Sequence, residues 1–78
     1  MPHIIVKLNP GRSNEQKRQL AHEIVKDVVA IAKCDESAVS VAFEEVKKED
    51  WAEMVYRPDI LDKQDSLFKE PGYENPCA

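Results

Sequence analysis

Two residues near the amino terminus have types suited to proton chemistry on a small acid, Pro2 and Arg12. With the initiator Met1 removed, as is expected ahead of a small second residue, Pro2 becomes a free secondary ring amine. A terminal amino group titrates near about 7.7–8.0, and burial or a neighbouring cation lowers that value because each disfavours the charged form. Such a nitrogen can serve as a base close to neutral pH. With Met1 attached the same nitrogen is a tertiary amide without a basic lone pair, so this chemistry requires the processed chain. The plainer reading of Pro2 is an exposed, processed terminus. Arg12 lies between Gly11 and Ser13. There its guanidinium and the N–H groups of a helix's first turn would converge on a place for an anion, and a carboxylate suits the fork of the guanidinium. A solvated loop arginine is the alternative.

The remaining chemistry-bearing residues are less informative. His3 and His22 have no Cys or His at ligand spacing, so no metal is expected. His3, next to the candidate base, either bonds to its surroundings or serves as a structural strand residue. Cys34 and Cys77 are isolated, with no CxxC, and are expected as reduced thiols in a cytoplasm. Cys34 would follow a helix C-terminus, whose dipole opposes a thiolate. The MPHIIVKL start lacks the pattern of a secretory signal. The charged run from Glu44 to Asp50 reads as a solvated turn.

The elements that must hold Pro2 and Arg12 follow from the pattern. HIIVKL at 3 to 8 is β-branched and apolar and stops at Asn9-Pro10-Gly11, which predicts a first strand. Ser13 and Gln16 have the spacing of a capping box and predict a helix start. Leu20, Ile24, Val28 and Ile31, joined by Ala21, Val25, Val29 and Ala32, form one broad apolar stripe, so that helix is expected to pack on something flat and to end near Lys33. Residues 38 to 44 alternate Val39, Val41 and Phe43 with Ser40 and Ala42, as in a half-buried strand. A strand, a helix and a strand of these lengths favour a right-handed crossover with parallel pairing. The fold expected is therefore α/β (α+β): a single βαβ unit with a two-stranded parallel sheet, a short helical turn around 50 to 56, and a C-terminal helix opened by Pro58 and ended by Pro71-Gly72.

One helix covers only one face of two strands, so a second face carrying Ser40, Ala42 and part of the first strand needs covering. Seventy-eight residues at 8.9 kDa make one small domain, 1–78, whose core alone supplies little stability, so a dimer is expected to bury that face. Eleven Lys+Arg against fifteen Asp+Glu give a net charge of −4, which offers no basic field for nucleic acid. The apolar stretches fall far short of a membrane span. A strand of six residues covers roughly 20 Å, so Pro2 and Arg12 of one chain stand apart unless the loop folds back or a second subunit completes the pair.

MPHIIVKLNPGRSNEQK, followed by the amphipathic helix and the VSVAFEEV strand, resembles the 4-oxalocrotonate tautomerase family over roughly residues 2 to 56. Trp51 after the second strand and the KEPGY tail at 69 to 73 are most similar to the small dimeric phenylpyruvate-type tautomerases. The resemblance implies a cofactor-independent isomerase, with an amino-terminal proline as general base and acid and pockets near subunit interfaces. It assigns Pro2 to catalysis, Arg12 to the substrate carboxylate and Trp51 to the wall of the proline's pocket. The family's strand-two arginine, which polarises the substrate carbonyl, aligns with Ser40. A hydroxyl donates one hydrogen bond to a developing enolate without arginine's charge, so a slow or narrow enzyme is expected, with dienoates such as oxalocrotonate disfavoured.

The activity implied is keto–enol interconversion of a small 2-keto acid such as phenylpyruvate, without metal or cofactor. Related dehalogenase or decarboxylase chemistry on small acids stays open. So does a non-catalytic dimeric binding module in which Pro2, Arg12 and Trp51 are relics or interface residues, Trp51 being as readable as a core or interface aromatic.

Overall fold

A computed structural model describes residues 1–77. The elements run β1 (His3–Leu8), α1 (Asn14–Ala32), a 3-10 turn (Glu36–Ala38), β2 (Ser40–Glu45), a second 3-10 turn (Lys48–Asp50), a π-helical segment (Ala52–Ile60) and a final 3-10 segment (Leu61–Ser66). They fall into two compact units, Met1–Glu45 and the residues from Val46 onward.

In the first unit the strands pair in parallel, as the βαβ pattern predicts, with His3 opposite Ser40, Ile5 opposite Ala42 and Lys7 opposite Glu44. The helix begins where the capping box placed it. Ser13 Oγ accepts from the Gln16 N–H at 3.1 Å, and Gln16 Oε1 accepts from the Ser13 N–H at 2.8 Å. Two donors that a helix start would otherwise leave open are thereby satisfied within one turn. Lys33 closes α1 in the left-handed conformation at φ 60°.

Lys17 of α1 reaches Glu45 of β2 at 2.8 Å, which identifies the face of the sheet that α1 covers. Alternation puts Ile4, Val6, Leu8, Val41 and Phe43 on that face, and all five are half-buried. The opposite face carries three cross-strand pairs: His3 with Ser40, Ile5 with Ala42, and Lys7 with Glu44. Ile5 there is 49% exposed.

Two details of this unit differ from the sequence reading. Residues 38 and 39 precede β2 instead of opening it. The Asp35 carboxylate accepts both the backbone N–H and the hydroxyl of Ser37, winding 36 to 38 into a turn before the strand can begin. Those bonds hold the exposed Asp35 carboxyl below its ordinary value, the Ser37 hydroxyl contributing most. The apolar stripe of α1 is also narrower than its composition. Ala21, Ile24, Val25, Val28 and Val29 are half-buried, whereas Leu20 and Ile31 are 43% and 78% exposed. Eleven residues return a helix to within about 20° of the same direction, so these two share one uncovered edge.

The second unit is helical throughout 48 to 66 but hardly α-helical. Pro58 lies inside the π-helical segment and does not open a new helix there. Proline has no N–H and crowds the carbonyl four residues earlier, and a wider turn relieves that crowding. The Leu61 N–H is shared between the carbonyls of Arg57 and Tyr56 where the segment closes. The final segment ends at Ser66, before Leu67 turns extended, so the helical run stops short of Phe68. All three buried hydrophobic side chains among the described residues, Val46, Val55 and Tyr56, belong to this unit. No helix of the described residues is long and apolar enough to cross a membrane.

Candidate active site

Pro2 is half-buried at the foot of β1, and its carbonyl accepts the Ser40 N–H at 3.1 Å. The parallel register therefore starts at the candidate base and brings the first residue of β2 beside it. Met1, ahead of it, is 96% exposed and open to removal. His3 Nδ1 and Ser40 Oγ lie 2.6 Å apart on the face away from α1. Pro2, His3 and Ser40 thus form one cluster at one end of the sheet.

Arg12 stands at the other end. Asn9, Pro10 and Gly11 make the turn out of β1, and Gly11 adopts φ 130°, a conformation open to glycine and strained for other residues. Arg12 Nη1 donates to the Asn9 carbonyl at 3.3 Å, so its side chain is held by the loop that follows β1 and does not fold back along the strand. Six residues of strand, about 20 Å, separate this loop from Pro2 within one chain. The exposed guanidinium sits one residue ahead of the helix cap. That position suits an anion, because the positive end of α1 and the guanidinium act in the same direction.

Trp51 belongs to the second unit, half-buried between the 3-10 turn and the π-helical segment. Its indole Nε1 donates to the Tyr73 hydroxyl at 3.0 Å. The Tyr73 ring meets that of Tyr56 at 5.9 Å between centroids with a 57° tilt, a favourable aromatic geometry. The KEPGY tail is therefore engaged within its unit by its tyrosine. Cys77 adds a second fastening, its thiol donating to the Ala52 carbonyl at 3.4 Å.

Two features of this arrangement escaped the reading of the sequence. His3 and Ser40 each stand out in the sequence, but their contact depends on a register that joins residues 37 positions apart. Tyr73 enters the sequence reading only as part of the KEPGY tail. Its pairing with the single tryptophan has no local signal, because fifteen Asp and Glu side chains and every backbone carbonyl could equally accept from an indole N–H. Among the described residues no group of three or more His, Cys, Asp or Glu side chains gathers as metal ligands would.

Comparison with known proteins gives a consistent picture. Residues 2–55 match the family described as "Tautomerase enzyme". A "Probable tautomerase" of Xylella fastidiosa is 47% identical over 73 residues, covering 94% of this chain and 89% of its own. Tautomerase PptA of Cronobacter sakazakii is 41% identical over 75 residues, covering 95% and 99%. Among solved structures, TomN, a 4-oxalocrotonate tautomerase homologue from tomaymycin biosynthesis, superposes with a TM-score of 0.62 at 30% identity, covering 64% of this chain and 77% of that one. YwhB, another homologue of 4-oxalocrotonate tautomerase, gives 0.59 at 34% identity, covering 60% and 77%.

Proposed function

Since the chain belongs to the tautomerase family and is a tautomerase-type isomerase of small acids, we propose that its substrate is a 2-keto acid such as phenylpyruvate and that Pro2 moves the proton. The observation that carries this reading is that the family match begins at residue 2, the proline itself. With Met1 gone, the neutral Pro2 nitrogen takes a proton from the enol hydroxyl or the α-carbon and returns it at the other position. Arg12 holds the carboxylate and so limits the substrate's freedom before the transfer. Ser40 donates to the oxygen on which enolate charge develops. Trp51 packs against the aryl or alkyl group of the substrate.

Pro2 and Arg12 lie at opposite ends of β1 in one chain. A pocket containing both is completed by a second copy, which is the functional reason for a homodimer, residues 1–78 acting as one tautomerase-like domain per subunit. The half-exposed Ile5 on the uncovered sheet face supports such an assembly. The free thiols of Cys34 and Cys77 fit a reducing, cytoplasmic setting.

The test is the ultraviolet decay of phenylpyruvate enol with protein whose amino-terminal mass is checked. Pro2→Ala is expected to lower kcat by about 10²–10⁴-fold, the range for a positioned general base. Arg12→Ala should fall mainly on KM. A processed wild type no faster than buffer on this and other small 2-keto acids overturns the enzyme's proposed substrate and favours the binding-module reading.

A further inference from the structure

At the position where the resemblance to the 4-oxalocrotonate tautomerases implies an arginine this chain has Ser40, and the structure gives that serine a partner. His3 Nδ1 lies 2.6 Å from Ser40 Oγ, and both residues lie beside Pro2, whose carbonyl is bonded to the Ser40 N–H. Arginine can only donate hydrogen bonds, whereas a hydroxyl donates one and accepts others. Keto–enol exchange alternates between two demands at the substrate oxygen: the enol presents an O–H donor, the keto form a carbonyl acceptor. A serine alone on an exposed strand face meets either demand poorly, because its hydroxyl rotates freely.

We propose that His3 is a positioning residue that sets the direction of the Ser40 hydroxyl, so that the pair takes over at the substrate oxygen the role of the absent arginine. When Nδ1 carries the ring proton it donates to Oγ, and the Ser40 hydrogen points outward to a carbonyl or enolate. When Nδ1 is bare it accepts the Ser40 hydrogen, and Oγ turns a lone pair to an enol O–H. The same two residues serve both ends of the reaction as the exposed His3 ring exchanges tautomers through water, which removes the proton at one ring nitrogen as it supplies one at the other, with no net change in the pair. Neither presents arginine's permanent positive charge, so the pair favours 2-keto monoacids over diacids that need a second cation. The inference rests on the tautomerase reading of the site and deepens it.

The experiment is a double-mutant cycle on kcat and KM with processed protein. Ser40→Ala and His3→Phe are each expected to lower kcat by about tenfold, the worth of one hydrogen bond, with KM little changed. The double variant should be no slower than Ser40→Ala alone. His3→Asn, whose amide reaches the position of Nδ1, should recover most of the loss. Independent losses in the double variant, an asparagine no better than phenylalanine, or an effect confined to KM overturns the proposal. A second readout does not depend on turnover. In long-range ¹H–¹⁵N spectra, Ser40→Ala should shift the His3 tautomer balance and leave His22 unchanged, and an unmoved His3 overturns the contact. Pro2→Ala with activity retained would instead remove the proline base while leaving the His3–Ser40 coupling readable, so the two failures are distinct.

Discussion

The two units of this chain divide order and burial between them in opposite ways. Met1–Glu45 holds the regular elements, β1, α1 and β2, yet none of its side chains is fully buried. Residues 46–77 fold as 3-10 and π-helical turns, yet Val46, Val55 and Tyr56 are the buried hydrophobic side chains among those described. Hydrogen bonding along a backbone and removal of apolar surface from water are thus separate achievements. A two-stranded sheet with one helix satisfies its backbone while leaving Ile5, Leu20 and Ile31 substantially exposed. Aromatic contact does the reverse in a stretch with little regular pairing. The residues proposed for proton transfer and carboxylate and carbonyl binding, Pro2, Arg12 and Ser40, sit on the regular, thinly buried unit, at strand ends and a helix start, where positions are well defined and access stays open.

The contrast can be broken experimentally. Tyr56→Ala removes a side chain that is 7% exposed and its ring contact with Tyr73. A loss of about 3–5 kcal/mol in urea unfolding is expected, the usual range for deleting a buried aromatic. A loss no larger than that of an exposed residue such as Ile31→Ala would erase the distinction. Ile5→Lys, on the uncovered sheet face, should disrupt association in sedimentation velocity by placing a charge in an apolar interface. Measured at concentrations where the wild type is itself dissociated, the same change should alter unfolding by no more than about 0.5 kcal/mol. An unaltered assembly would show that this face is not the one that pairs.

Smaller effects sharpen the comparison. Ser13→Ala removes the acceptor of the Gln16 N–H and should lower stability by about 1 kcal/mol in the same urea series. An effect much larger than that would mean the cap does more than start α1. The Asp35 carboxyl is held below its ordinary value of 3.8 by Ser37. Its contribution is therefore present above 3.8 and is lost as pH falls through the lower folded value. Asp35→Asn should lower stability slightly at every pH above 3.8, neutrality included, and converge with the wild type in stronger acid, so that the acid limb of a stability–pH curve flattens in that region. A steeper acid limb would contradict the assignment. This is the smallest of the effects, since the group is fully exposed.

Much of the fold was legible in the residues because the governing interactions are short. The Ser13–Gln16 box, the β-branched run 3 to 8 and the turn at Asn9-Pro10-Gly11 act within a few positions, and the structure places a helix start, a strand and a turn there. The parallel pairing followed from the length of the crossover. The legible reading was less exact where competing local bonds or long-range packing intervene. Asp35 and Ser37 wind residues that alternate like a strand into a turn, and Pro58 is absorbed into a widened helix although proline most often marks a helix start. Leu20 and Ile31 have the spacing of core residues, but a sheet of two strands is too narrow to cover them.

For the site, residue types and the GRS turn marked Pro2 and Arg12 as the chemical candidates, and the amphipathic pattern supplied the βαβ frame that carries them. Distances and partnerships across the chain came from the folded molecule: Pro2 and Arg12 at opposite ends of β1, His3 against Ser40, Trp51 against Tyr73. A cap or a turn is a contest among neighbours that the chain decides within one or two hydrogen bonds. A cross-strand register or an indole–phenol contact joins residues tens of positions apart. Its outcome depends on closing the intervening loop and packing everything within it, which no short stretch of sequence encodes.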